Sequence, residues 1–462
     1  MTCKRHSQSA VGLLSFFVAV FALTVPASAE WKEKVLYSFQ GSPDGSFPGG
    51  GLVFDKAGNL YGVTLEGGSG SCPPAQCGIV YQLSPPAQKG GPWMETVLYV
   101  FKGQHYGDGS SPAGTLLIDS SGNLYGGTGY GGTGKCMIFG GVVGCGTVYE
   151  LSPPKKQGEA WTETVLYSFK GGKDGQLAGE SLTFDAQGNI YGATAYGGGY
   201  GSCNEPYYQH CGAIYELSPP QTKGGKWTET VLHGFKGVKS GDGANPNGGL
   251  VFDPEGAIYG TTFIGGYDCP HNSGLGCGTV FELQPPSGNT GVWTEKQLHA
   301  FTDKDDGGHP EGGLIFDAKG SLYGTASVGG GSGYGAVFEL AGPNGKSGLW
   351  KETILYSFRD RNDGANPNAG LIFDSSGNLY GTAYRGLGTS QYGSVFKLTP
   401  PQTGGEWVLD VLYGFHTAGA GAGQPNASLI FDKHGNLYST TEFGGTGQSC
   451  QGGCGTVFRI SP

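Results

Sequence analysis

The segment Asp-Gly-x-x-Pro recurs along the chain and brings with it Asp44, Asp108, Asp174, Asp242, Asp306 and Asp363. Carboxylates spaced regularly in a repeat can converge on a hard cation such as Ca²⁺, which takes carboxylate and carbonyl oxygens. The same segment is also a turn, in which Asp accepts backbone N–H groups and Gly tolerates positive φ. No dense D-x-D-x-D loop selects calcium over the turn. The series is imperfect: Gly421 stands where a seventh Asp is expected, and Ala178 replaces the Pro of the third copy. A second series, Asp55, Asp119, Asp185, Asp253, Asp317, Asp374 and Asp432, precedes a Gly-Asn or related turn, where a turn-forming role is sufficient.

A different chemistry is offered just before the Gly-Gly pairs, where the chain places Glu66, Tyr130, Tyr196, Ile264, Val328, Arg385 and Phe443. The third copy adds "YGSCNEPYYQHC", with Tyr200, Glu205, Tyr207, Tyr208 and His210, and the fourth adds "YDCPHN", with Tyr267, Asp268 and His271. Aromatic rings beside hydrogen-bonding groups suit stacking on sugar faces or peptide side chains. The competing role for these tyrosines is to pack Gly-rich loops. Acid–base chemistry has fewer candidates: Glu180 and, near the equivalent place, Glu311 are the charged residues in otherwise apolar or small Gly-Leu-Ile-Phe-Asp segments. No G-x-S-x-G or H-E-x-x-H pattern occurs, so no catalytic residue is assigned. His233 and His299 occupy the Tyr place of "VLYSF" and read as structural, while His105, His309, His416 and His434 fall in loops.

Cysteines come in local couples: Cys72/Cys77, Cys136/Cys145, Cys203/Cys211, Cys269/Cys277 and Cys450/Cys454. The second member always precedes the Gly that opens a strand such as "GTVF". Copies five and six carry Tyr334 and Tyr392 there and lack the partner Cys as well. Paired presence and paired absence mark disulfides, each closing a short loop that gains roughly 2–3 kcal/mol in the chain-entropy model. Zinc is the competing reading, but the spacings vary and no His pair accompanies them.

What positions these residues is a unit repeated seven times. "GNLYG" or a variant recurs at Asn59–Gly62, Asn123–Gly126, Asn189–Gly192, Ala257–Gly260, Ser321–Gly324, Asn378–Gly381 and Asn436–Ser439. The seven Trp residues, at 31, 93, 161, 227, 293, 350 and 407, fall one per unit and give an independent count. Each unit reads as four short strands, "GGLIFD", "LYGTT", "GTVFEL" and "WTETVLYSF", with period-two alternation and many β-branched and aromatic residues. A four-stranded unit that cannot bury both faces alone predicts an all-β, seven-bladed β-propeller of stacked sheets. The last unit lacks its fourth strand and residues 31–39 supply a spare one, so the two ends are expected to complete one blade. A solenoid would instead need capping repeats and gives no reason for a split unit. By propeller topology the Asp-Gly-x-x-Pro segments and the Cys-bearing loops share one mouth, and the Gly-Asn turns and Pro-Pro loops the other.

Domain boundaries follow: residues 1–29 as a signal peptide and 30–462 as one propeller, with repeats near 35–96, 97–164, 165–230, 231–296, 297–353, 354–410 and 411–462. The leader reading rests on Lys4-Arg5-His6, an apolar run from Ala10 to Val25, and "ASA" at 27–29; a retained anchor is the alternative. Secretion or delivery to the periplasm is expected, with no membrane span after cleavage and disulfides permitted. A net charge of −10 without a Lys/Arg cluster argues against nucleic acid and anionic membrane as partners.

Laid out as VLYSF, DGxxP, GGLIFD, xxGNLYGTT, GG and GTVFELSP, the repeat resembles the GloVer tandem-repeat family of bacterial exported proteins over residues 31–462. It is more loosely similar to NHL-type and lactonase-like propeller blades. The resemblance implies export and tandem repetition, with a C-terminal sorting anchor in many members; this chain ends inside its last repeat, which favours free secretion. It implies no reaction and no catalytic residue. The expected role is therefore a monomeric binding or scaffold module for a glycan, protein or other extracellular ligand. Cofactors are not expected, Ca²⁺ excepted, and a propeller hydrolase, lactonase or lyase with a Ca²⁺-dependent mouth is the alternative.

Overall fold

Period-two alternation folds each repeat into four antiparallel strands, as in blade two with Gly109–Ile118, Leu124–Gly131, Thr147–Ser152 and Thr162–Ser168. Seven such sheets form a β-propeller, and each inner strand lies next to the central channel. The computed structural model describes residues 30–70, 72, 77–138, 141–156, 158–199, 211–222, 224–267, 269, 274–287, 291–343, 349–386, 392–402, 404–415 and 421–462. Besides strands, the described residues include two single-turn 3₁₀ elements, Gln104–Tyr106 and Val238–Ser240.

The ring closes as the split repeat predicts. Lys32–Ser38 pairs antiparallel with Thr456–Ser461, Lys32 opposite Ser461 and Ser38 opposite Thr456, and so becomes the outer strand of blade seven.

Blades adhere through buried aromatic rings. At the end of every outer strand a Phe (39, 101, 169, 235, 301, 358, 415), at most 1% exposed, meets an aromatic ring of the next blade's third strand. The partners are Tyr81, Tyr149, Tyr215, Phe281, Phe338, Phe396 and Phe458, with centroids 5.0 to 5.2 Å apart, edge to face. Each such pair adds about 0.5–1.5 kcal/mol beyond the area it buries. The partner ring explains the Gly of Leu-Tyr-Gly. A Cβ on Gly62, directly opposite Tyr81, would lie 2.4 Å from the Tyr81 hydroxyl. Nearer the opposite mouth, Tyr of one second strand meets the inner-strand Phe of the next blade, as in Tyr125–Phe184 and Tyr438–Phe54.

The Gly-Asn turns are carboxylate-centred. Asp55 accepts from the backbone N–H groups of Ala57 and Asn59, the Asn59 amide and the Tyr61 hydroxyl. Burial raises its pKa, but these bonds to the ionised form outweigh burial and hold it below the usual range. The fold alone therefore accounts for this Asp series.

Deleting residues 31–39 removes the blade-seven outer strand and the Phe39 ring from Tyr81, exposing a sheet edge. The truncated protein is expected to aggregate or lose its cooperative melt, as read by size exclusion and circular dichroism; an unchanged melting temperature would contradict ring closure.

Candidate functional site

The residue before the Pro of each Asp-Gly-x-x-Pro segment, or before Ala178 in the third copy, takes a left-handed conformation. Phe47, Ser111, Leu177, Asn245, His309, Asn366 and Gln424, one per blade, have φ between 51° and 60°. None is a glycine, and such a conformation costs roughly 1–2 kcal/mol per residue. One interaction repays it in every blade. The N–H of each residue donates at 2.7–3.0 Å to a carbonyl of the preceding blade: Cys454, Cys77, Cys145, Cys211, Cys277, Tyr334 and Tyr392 in turn. The acceptor is the second Cys of each couple, or the Tyr that replaces it. Disulfides Cys72–Cys77, Cys136–Cys145, Cys269–Cys277 and Cys450–Cys454 pin it, with Cα–Cα distances of 5.0 to 5.8 Å. Cys211 is also disulfide-bonded, while Cys203 lies outside the described residues.

The sequence-predicted candidates flank this ring. Glu66, Tyr130, Tyr196, Arg385 and Phe443 pair with Ser46, Ser110, Gln176, Ala365 and Gly423, one residue before the left-handed position. Consecutive strand residues point to opposite faces; of the neighbours one position back, Leu65 lines the channel cavity, Ser327 bonds the Glu311 carboxyl and Tyr384 senses its charge. Phe443 packs on Phe47. Tyr267 is 63% exposed. Tyr200, Tyr207, Tyr208, His210, Asp268 and His271 lie outside the described residues.

On blades four to seven residues at the mouth connect. The Ser327 hydroxyl donates to the His309 carbonyl at 2.8 Å, and the Asn366 amide donates to the Ser327 carbonyl at 2.8 Å. His309 Nδ1 lies 2.9 Å from the Phe263 carbonyl, its ring 4.8 Å from the Phe263 ring. The Tyr384 hydroxyl donates to Glu442 at 2.8 Å, and the Arg385 guanidinium lies 5.6 Å from the Tyr384 ring. Sequence reasoning missed both rings. The available signal was the residue before Pro, which changes type in nearly every repeat while its neighbours repeat.

Below the mouth a channel cavity of about 400 Å³ is lined by the starts of the inner strands. Gly49 and Ala113 of blades one and two line it at one level, where the third repeat carries Gly179 in sequence, whereas blades four to seven contribute Asn247, Glu311, Asn368 and Asn426. Glu180 enters one level deeper, its carboxylate 3.5 Å from the Gly248 N–H. Protein encloses both glutamates even though channel solvent reaches them. Burial pushes Glu180 up to about 6, against the Gly248 bond. Burial also takes Glu311 up to about 7; a Ser327 bond opposes the rise and the Glu180 charge adds to it.

Seven blades, the split closing blade and the repeated mouth now stand beside one match. The chain belongs to the Gloeobacter/Verrucomicrobia repeat family. Its family model matches residues 18–204, 134–352 and 270–462. No curated protein matches the sequence. Similar solved structures include an ulvan lyase, a polysaccharide lyase bound to GlcA(1-4)Rha3S, which is 11% identical with a TM-score of 0.52 over 92% of this chain and 95% of that one. A glucose dehydrogenase-type oxidoreductase of Thermus thermophilus is 14% identical with a TM-score of 0.37, over 93% of this chain and 100% of that one. A second glucose dehydrogenase gives 14% and 0.39, over 93% and 99%. At these identities the likeness is one of fold.

In this Gloeobacter/Verrucomicrobia repeat protein the Asp-Gly-x-x-Pro carboxylates do not gather at the mouth. Each turns into its own blade interface. Asp44, Asp108, Asp174 and Asp363 accept the hydroxyls of Tyr37, Tyr99, Tyr167 and Tyr356 from the preceding outer strand, and backbone N–H groups beside them. Where Gly421 replaces Asp, the Tyr413 hydroxyl donates to Glu33 instead. Among the described residues, Asp242 is the one of the six that falls in a cluster of metal-ligating types, with His233 and Glu295. The other such cluster contains Cys269 and Cys277, whose sulfurs are bonded to each other and are not thiolates.

Two outcomes are expected. Ser111→Gly relieves a left-handed residue and leaves stability unchanged or raises it, whereas Ser111→Val adds a β-branched side chain there and costs about 1–2 kcal/mol; denaturant melts compare them. The second concerns Glu95, Glu163, Glu229 and Glu352, which burial pushes up to about 7, with the charges of Asp44, Asp108, Asp174 and Asp306 adding to the rise and a neighbouring cation opposing it at three of the four. The folded state then binds protons more tightly than the unfolded chain. Their contribution is full below the unfolded value of 4.5 and is lost as pH rises through about 7. Melting temperature should fall from pH 5.5 to 8.5, less steeply in Glu163→Gln; a rise would contradict the assignment.

Proposed function

We propose that this protein is an exported glycan-binding propeller that holds its ligand on the blade four-to-seven half of the channel mouth. The observation that carries the reading is the loss of sevenfold symmetry there. Where blades one to three carry Gly49, Ala113 and Gly179, blades four to seven present Asn247, Glu311, Asn368 and Asn426, with Ser327, Tyr384 and Glu442 on the same blades and Glu180 of blade three beside them. Sugars combine hydroxyls, which amides and carboxylates recognise, with C–H faces that stack on aromatic rings. Export is supported by the disulfides, which persist in oxidising compartments. Among the described residues no helix is long and apolar enough to cross a membrane.

One observation favours a second reading, in which the same half performs acid–base chemistry on the bound polysaccharide. A carboxyl held near pH 7 beside a cavity, as Glu311 is, suits a general acid that donates a proton to a leaving oxygen.

A glycan array followed by calorimetry with the mature chain tests the binding reading. Tyr384→Ala and Glu442→Gln are expected to weaken binding of the selected glycan roughly tenfold, about 1.4 kcal/mol, with unchanged melting temperature. Absence of binding across acidic and neutral glycans would overturn it. Release of shorter products, abolished by Glu311→Gln, would favour the catalytic reading.

A further inference from the structure

We propose that His233, Asp242 and Glu295 bind one divalent cation of the zinc class at the interface between blades three and four. This site is separate from the mouth and does not depend on the glycan reading. The repeat itself shows what is unusual. In five blades the outer strand presents a Tyr, and the hydroxyls of Tyr37, Tyr99, Tyr167, Tyr356 and Tyr413 donate to a carboxylate at 2.7 to 3.1 Å. His233 stands in that place with Nε2 at 3.6 Å from Asp242 Oδ2, too far for a hydrogen bond. This nitrogen is buried and has no hydrogen-bond partner.

His299 Nε2 at the next interface likewise lacks a hydrogen bond at 3.5 Å from Asp306, so what sets the His233 site apart is the convergence of a second carboxylate, Glu295, which a cation between the three groups would satisfy. One ligating atom from each of His233, Asp242 and Glu295 lies within 4.8 Å of the other two. Zinc bonds of about 2.0–2.2 Å in a tetrahedral arrangement separate ligand atoms by roughly 3.3 Å, so closing the site draws the most distant atoms together by up to about 1.5 Å. The donor set, one imidazole and two carboxylates, suits zinc better than calcium or magnesium, which prefer oxygen alone. Backbone N–H groups of Lys236 and Gly243 donate to the Asp242 oxygens at 2.9 and 2.7 Å and fix its orientation.

His233 also lines a cavity of about 590 Å³ together with Lys173, Gly199, Thr230 and Trp293, which brings solvent to the edge of the site. His233 comes from blade three, whereas Asp242 and Glu295 come from blade four, so the ion would tie the two blades together. The neighbouring interface carries His299, Asp306 and Glu352, but their ligating atoms do not converge in this way. There Thr302 occupies Asp306 through its hydroxyl at 2.6 Å and its N–H at 3.0 Å.

The test is calorimetric titration of the mature protein with ZnCl₂ after chelator stripping and dialysis, alongside thermal melts with and without the metal. Wild type and His299→Tyr are expected to bind one equivalent and to melt at a higher temperature with zinc. His233→Tyr restores the residue used by five other blades and should fold normally while losing the melt shift and at least about tenfold in affinity. Glu295→Gln should lose affinity in the same way and decides the matter if His233→Tyr folds poorly. Absence of saturable binding in wild type, wild-type binding in both interface variants, or loss of binding in His299→Tyr alone would each overturn the assignment.

Discussion

The rest of the molecule depends on the edge-to-face contact between a Phe at the end of one outer strand and an aromatic ring in the next blade. Phe39 on Tyr81 and Phe415 on Phe458 are the two such contacts that involve the shared blade seven. Single twisted sheets of four strands leave both faces apolar, and each face can be covered only by another blade. The ring beneath each contact demands a residue without a side chain opposite it, which is why Gly62 and its equivalents follow Leu-Tyr. Blade seven marks the tolerance of the rule. Ser439 replaces Gly opposite Phe458, and its hydroxyl donates to the Ala427 carbonyl at 3.0 Å.

Holding the blades at a fixed spacing makes the second inter-blade contact available, the N–H of a left-handed residue donating to a Cys or Tyr carbonyl. Here backbone geometry does the joining, so the side chain varies in type from blade to blade, and Phe47, His309 and Asn366 make further contacts of their own. A position that is costly in conformation, fixed in place and free in identity is well suited to recognition. The disulfide at five of the seven acceptors limits the motion of the carbonyl that compensates the strain. Tyr334 and Tyr392 replace that restraint in blades five and six.

Repeat number, strand order and ring closure were legible because they rest on local patterns: alternation, turn residues and a split unit. The Cys couples were legible from their joint presence and absence. The second-strand positions at the mouth, Glu66, Tyr130 and Arg385 among them, were legible from their place before the Gly-Gly pairs, but alternation alone does not fix which of two adjacent residues faces inward. His309 and Asn366 were passed over for a different reason. A residue before Pro is expected in an extended conformation with negative φ, and only the carbonyl of the previous blade, distant in sequence, reverses that preference. Distance also explains the Asp-Gly-x-x-Pro series, whose role depends on a Tyr or His from the preceding blade's outer strand.

Symmetry is lost between the blades on the same arc as in the channel. Thr261, Thr325, Thr382 and Thr440, on blades four to seven, donate their hydroxyls to inner-strand carbonyls of the following blade at 3.0 to 3.4 Å. Blades one to three carry Val63, Gly127 and Ala193 there, which have no hydroxyl to offer. The Asn and Glu residues of the channel and Ser327, Tyr384 and Glu442 stand on the same four blades. Sequence drift in a repeat would scatter polar substitutions around the ring, whereas these gather on four adjacent blades, with Glu180 of blade three beside them. An uneven rim of this kind distinguishes one side of the opening from the other, which a ring of identical repeats cannot do.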